Sequence, residues 1–146
     1  MFPQRRTLPH ETPSWVKAGA LYFVTICCRD RHTNSLAHEA IAEQIFNAAC
    51  HLSVLSRWHV RLLVVMPDHL HALVAVPKEE SLAATIRDWK HFLAKHAGID
   101  WQRGYFDHRV RNGESLDEKA SYIRANPVRA GLVARAEDWP YQWEPR

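Results

Sequence analysis

Apolar residues recur along this chain in two different periods, and the places where the period changes outline its elements. Leu21-Tyr22-Phe23-Val24-Thr25-Ile26-Cys27-Cys28 is rich in β-branched and aromatic side chains and predicts a strand. From about His38 to Leu55 the spacing switches to that of a helix, with Ile41, Ile45, Ala48, Leu52 and Leu55 forming the expected buried stripe. Trp58–Met66 and His69–Val76 return to strand character, and only Pro67-Asp68 separates them, which predicts a tight antiparallel hairpin. Ser81 is placed to cap a second helix with Leu82, Ile86, Trp89 and Leu93 on its buried face. Lys95 and His96 suit its last turn and Gly98 its end. Tyr105–Arg111 predicts a fourth strand, closed by an Asn112-Gly113 turn.

The order is therefore β-α-β-β-α-β. This α+β pattern predicts a ferredoxin-like fold, a four-stranded antiparallel sheet carrying two helices on one face. The other face needs a cover, and one further helix is available. Ser115-Leu116-Asp117-Glu118 has capping-box spacing, and Leu116, Ala120 and Ile123 make a stripe that can run to about Asn126, ahead of Pro127. The aromatic tail (Trp139, Tyr141, Trp143) is expected to pack back onto the domain. Residues 1–18, with prolines at 3, 9 and 13, suggest an irregular arm, leaving 19–146 as a single domain.

With 146 residues, 47% of them hydrophobic and 24% charged, the chain suits one globular domain. Its longest apolar runs, such as Leu62–Met66 and Ala72–Val76, are too short to span a bilayer, and no apolar stretch of signal-peptide length follows the first arginines. No membrane association and a cytoplasmic location are the expectations. The formal charge of +3 permits phosphate binding without demanding it. Cys27, Cys28 and Cys50 lack the spacing of a zinc site or a disulfide framework and are expected to be small core residues.

Candidate chemistry begins with His69-Leu70-His71. Side chains alternate across a strand, so both imidazoles share one face while Leu70 points to the other. Two readings stand at this point: a hydrogen-bonded polar pair at a strand end, or half of a divalent-metal site. Tyr122 and Asn126 lie four apart on the third helix and so share a face, displaced from the buried stripe. A tyrosine there is usually a packing residue with its hydroxyl in water, and its position is what raises the chemical reading. If that helix covers the face carrying the histidines, the set suits phosphoryl transfer. His69, His71 and the Asn126 amide oxygen would hold Mg²⁺ or Mn²⁺, and Tyr122 would attack phosphorus in line, leaving a 5′-phosphotyrosine.

Basic groups surround these positions. Lys90 belongs to a stripe with Arg87, His91 and Lys95; Arg109 and Arg111 share one face of the fourth strand with Tyr105 and Asp107; Arg124, Arg129 and Arg135 follow in and after the third helix. Each could neutralise a DNA backbone, although such residues are more often solvated surface charges.

Three blocks in order carry a resemblance: Met66-Pro67-Asp68-His69-Leu70-His71; Trp101-Gln102, then Gly104-Tyr105-Phe106-Asp107-His108 with Val110-Arg111; and Tyr122-Ile123, then Asn126-Pro127-Val128 with Ala130-Gly131-Leu132-Val133. Over residues 20–143 the chain resembles single-strand transposases of the His-hydrophobic-His tyrosine class, in particular the REP-associated tyrosine transposases. The resemblance implies a ferredoxin-like domain, metal-dependent cleavage and joining of single-stranded DNA, and recognition of palindromic hairpins. It assigns His69 and His71 to the metal, Tyr122 to the nucleophile and Asn126 to a further metal ligand. Pro127 disfavours helical geometry at Asn126, and that weakens its assignment relative to the histidines. The resemblance leaves both a monomer and a homodimer with exchanged tyrosine helices open, because insertion-sequence relatives are typically dimers and the palindrome-associated branch need not be.

Two alternatives compete. A non-catalytic single-strand-binding module would need stacking aromatics on the middle strands, and the third strand has none on either face. A zinc hydrolase would need a His-Glu-x-x-His or similar cluster, which is absent from the sequence.

Overall fold

Strands β1 (Gly19–Cys27), β2 (His59–Val65), β3 (His69–Pro77), β4 (Phe106–Val110) and β5 (Gln142–Trp143) form one antiparallel sheet in the order β4-β1-β3-β2-β5. The computed structural model describes residues 19–111 and 116–145. Helices α1 (Glu39–Val54), α2 (Leu82–Ala97), α3 (Leu116–Arg124) and α4 (Asn126–Arg129) complete the α+β architecture, with a 3₁₀ turn at Ala136–Asp138. The arm read over 1–18, the Asn112-Gly113 turn and Ser115 of the capping box lie outside the described residues. Among the described residues no helix is long and apolar enough to cross a membrane.

The sheet has five strands where four were expected. Gln142 and Trp143 pair with Val64 and Leu63 and so cover the edge that β2 would otherwise leave open. Two residues are too few to show any period, so the tail's strand left no mark in the hydrophobic pattern.

Alternation along the strands splits the interior into two layers. Leu70, Ala72, Val74 and Val76 of β3 pack with α1 and α2, whereas Leu73 and Ala75 pack with Ala120 and Ile123 of α3. The third helix thus covers the face opposite the other two. On α2 the expected stripe is buried, Ser81 accepts a hydrogen bond from the Ala84 amide, and Gly98 ends the helix at φ 68°. On α1 the buried set is Ala42, Ile45, Phe46, Ala49 and Leu52, so the stripe is rotated from the expected one and Leu55 is exposed. Phe46 explains the rotation: the largest apolar side chain available turns inward. Trp58 and Trp89 meet edge-to-face behind it at 5.1 Å and donate to the carbonyls of Ala49 and Ile45.

The helix that carries Tyr122 is held by the sheet edge and the tail together. A bulge at Arg61 interrupts the β2–β3 register between Val60 and Leu62, so those two residues face opposite layers. Arg61, Arg124 of α3 and Glu144, beyond β5, form a buried ionic group in which Arg124 donates directly to Glu144. Trp139 is buried nearby and donates to the Val65 carbonyl. Contrary to the expectation of a helix ending at Asn126, the chain passes through a break at Ala125 and turns helically again. The Arg129 and Ala130 amides reach the carbonyls of Ala125 and Asn126. Asn126 is therefore helical in spite of the proline that follows it, because Pro127 falls in the first turn, where no amide proton is needed.

Candidate active site

His69 and His71 start the central strand β3. The Met66 amide donates to the His69 carbonyl, which closes the hairpin around Pro67 and Asp68. That loop is tied down further by donors from Cys28, Ser35 and Leu36 to the carbonyls of Asp68 and Pro67. The rings lie 4.9 Å apart on one face of the sheet. Each uses Nδ1 on a neighbour: His69 on the Asp68 carboxylate at 2.7 Å, and His71 on the Thr25 hydroxyl at 3.0 Å. Nε2 is the remaining nitrogen of both. Asp68 is held in turn by Arg31 at 3.3 Å.

Burial, followed by the charges of His69, Arg129 and Arg31, pushes the His71 pKa down to about 3. The ring is neutral at physiological pH, as a metal ligand must be. Cys28, close to Asp68, behaves oppositely: burial first and Asp68 second push its thiol up to about 11, so it remains protonated and is no thiolate donor.

Tyr122 stands over the same face. Phe23 of β1 links it to the histidines, with ring centroids 5.6 Å from His71 and 6.4 Å from Tyr122. The tyrosine is 58% exposed, so its hydroxyl-bearing ring is open to a ligand. Arg129 from α4 lies over the Tyr122 ring at 4.1 Å, and its Nη2 donates both to the Tyr122 carbonyl and to Oδ1 of Asn126. Asn126 Nδ2 is buried without a hydrogen-bond partner among the described residues.

The structure brings together His69, His71 and Tyr122, with Arg129 joining Tyr122 to Asn126. Other basic residues singled out from the sequence are placed differently. Lys90 donates to the carbonyls of Gln102 and Gly104 and so fixes the loop before β4. Arg124 is engaged by buried Glu144. Arg109 and Arg111 are exposed, Arg109 on the edge strand β4 and opposite Tyr22, whose face packs toward α1 and α2. Asp107, opposite Val24, faces the same way, away from the histidines. Sequence reasoning did not find Thr25, Asp68 or Phe23 as supports. Asp68 adjoins His69 and could have been suspected from that alone, whereas the Thr25 contact depends on strand register.

Two curated relatives cover most of the chain. A REP-associated tyrosine transposase of Escherichia coli K12 is 25% identical over 126 residues, spanning 84% of this chain and 75% of the relative. A Haemophilus influenzae protein provisionally given the same name is 29% identical over 143 residues, spanning 84% and 78%. The chain is similar to REP-associated tyrosine transposases. No family model matches it. A solved structure of a REP-associated tyrosine transposase bound to a REP hairpin superposes with a TM-score of 0.75 at 24% identity, over 92% of this chain and 82% of that one. The α+β fold with its five-stranded sheet is shared with that transposase.

The donor set suits a divalent cation. Two imidazoles oriented through Nδ1 are borderline ligands, and the amide oxygen of Asn126 has a second lone pair beyond the one that Arg129 uses. Among the described residues no group of three or more His, Cys, Asp or Glu side chains forms a metal cluster. Among the described residues, the two imidazoles and the Asn126 amide are therefore the side chains that would hold a cation.

Proposed function

We propose that the chain is a transposase-type phosphoryl transferase that cleaves and rejoins single-stranded DNA beside a hairpin, with Tyr122 as nucleophile. The observation that carries this reading is the placement of Tyr122 and the His69/His71 pair on one sheet face, both rings of the Tyr122–His71 couple touching Phe23. The relatives' names and the hairpin bound to the structural relative support the substrate class.

His69, His71 and Asn126 would hold Mg²⁺ or Mn²⁺, and a cation there supplies Lewis-acid polarisation of a non-bridging phosphate oxygen. The chain's own residues do the rest. Tyr122 Oη forms the new O–P bond as the P–O3′ bond breaks; the phenolic proton leaves to solvent, and the departing 3′ oxygen takes one up. The 5′-phosphotyrosine that remains has a bond much like the one broken, so another 3′ hydroxyl reverses the attack without an external energy source. Stacking by Arg129 fixes the Tyr122 ring, and Nε and Nη1 of that guanidinium, which have no partner among the described residues, offer donors to the phosphate.

Labelled hairpin oligonucleotides with single-stranded flanks, incubated with Mg²⁺ or Mn²⁺, test the reading on a denaturing gel. Wild type is expected to yield a covalent adduct, and Tyr122→Phe and His69→Ala none. An undiminished adduct from Tyr122→Phe would remove that residue as nucleophile. Binding without adduct in either metal would make the chain a binding module.

A further inference from the structure

Among the described residues, a large apolar side chain on the site face is left uncovered. Phe106, the first residue of β4, is 68% exposed. Its register places it opposite Thr25, and Thr25 stands opposite His71. Directly opposed residues in antiparallel strands project to the same face, so Phe106, Thr25 and His71 form one row across the sheet. With strands about 4.8 Å apart, the phenyl ring is roughly 10 Å from the histidine, measured across the row.

Among the described residues, the cover over this face does not reach the ring. Ala120 and Ile123 of α3 pack with Leu62, Val64 and Leu73, and from β4 only Val110 joins that cluster, at the opposite end of the strand. Beside the open row lie the exposed Tyr122 and the exposed guanidinium of Arg129. A cation and a bare aromatic ring along one face are the two parts that single-stranded nucleic acid requires, one for the backbone and one for a base. Duplex bases are stacked on one another and could not reach such a ring, whereas an unpaired base can.

Resting on the phosphoryl-transfer reading above, we propose that Phe106 is a stacking platform for an unpaired nucleobase of the strand that leads to Tyr122. The platform sits on the edge strand β4, next to the inner strand β1. It would hold the single strand in line with the site, and it would favour flanking single strand over hairpin stem.

The test uses the full chain and a hairpin oligonucleotide whose single-stranded flank carries 2-aminopurine at one position at a time. Wild type is expected to change the fluorescence at one flank position by stacking. Phe106→Ala should lose that signal and bind about tenfold more weakly, the usual scale for one base–aromatic contact. Phe106→Trp should restore both and Phe106→Leu neither, while affinity for a blunt hairpin without flanks stays unchanged in all. Unaltered affinity and signal in Phe106→Ala would overturn the platform, as would full rescue by leucine. Light scattering that shows Phe106→Ala changing the oligomeric state, with DNA binding intact, would make the ring a contact between copies instead. If wild type gives the Tyr122 adduct and Phe106→Ala binds normally, only the platform fails. If wild type stacks the probe but forms no adduct, the transferase reading fails and the platform stands. A wild type that binds no probe overturns both.

Discussion

Thr25 and His71 face each other across the β1–β3 ladder, with the threonine hydroxyl 3.0 Å from Nδ1 of the imidazole. A neutral imidazole has one N–H and one lone pair, so the group at Nδ1 decides what Nε2 can do. For Nε2 to accept a metal, Nδ1 must carry the proton and donate it to Thr25. Asp68 imposes the same tautomer on His69 through its carboxylate, which can only accept. Thr25→Val and Asp68→Ala are each expected to weaken Mn²⁺ binding by roughly 10- to 100-fold, the usual range when such supports are lost. Titration calorimetry reads the affinity, and circular dichroism checks that the fold persists. Wild-type affinity in both variants would mean that these contacts do not orient the rings.

Acid sensitivity follows from the depressed pKa of His71. The folded chain keeps this ring neutral down to about pH 3, while the unfolded chain protonates it near 6.5. Between those values the unfolded state binds more protons, so the ring's contribution to stability is fully present above 6.5 and is lost as pH falls toward 3. In the metal-free protein the urea midpoint is expected to decline across this window, and less steeply in His71→Asn. An identical slope in the variant would assign the decline to other groups.

Glu144 lies between two arginines, Arg61 and Arg124, near the base of the tyrosine helix. Removing the carboxylate leaves two cations with little water to replace it. Glu144→Ala is expected to cost about 3 kcal/mol, the lower end for breaking a buried ion pair from one side. Urea denaturation measures it. A loss below about 0.5 kcal/mol would class the group with ordinary surface pairs.

Patterning carried the fold a long way, and the reasons for its shortfalls are specific. The stripe of α2 was readable because Leu82, Ile86, Trp89 and Leu93 are large, evenly spaced and bounded by a serine and a glycine. That of α1 was misjudged because Phe46 and small alanines offer two overlapping stripes, and only packing chooses between them. The extra strand β5 and the bulge at Arg61 arise from pairing between distant segments, which no local period records. At the site, the shared face of His69 and His71 and its cover by α3 follow from alternation and elimination. Arg129 was singled out as a basic residue, but its bond to Asn126 comes from the helical turn that continues past Pro127. Lys90 and Arg124 were singled out for charge alone, and charge does not reveal that backbone carbonyls and a buried carboxylate already hold them.

The hairpin at Pro67-Asp68 also sets a limit on how the chain can vary. Strand side chains have a repeat of two, so one residue inserted or deleted there, with the rest of β3 sliding to match, would exchange its faces. Leu70 would come to lie beneath Tyr122, and both imidazoles would be driven among the apolar side chains that pack with α1 and α2. Substitutions in this loop alter the site by degrees, but a change in its length turns the site inside out. Loops elsewhere can lengthen at little cost, and this one acts as a ruler whose unit is a single residue.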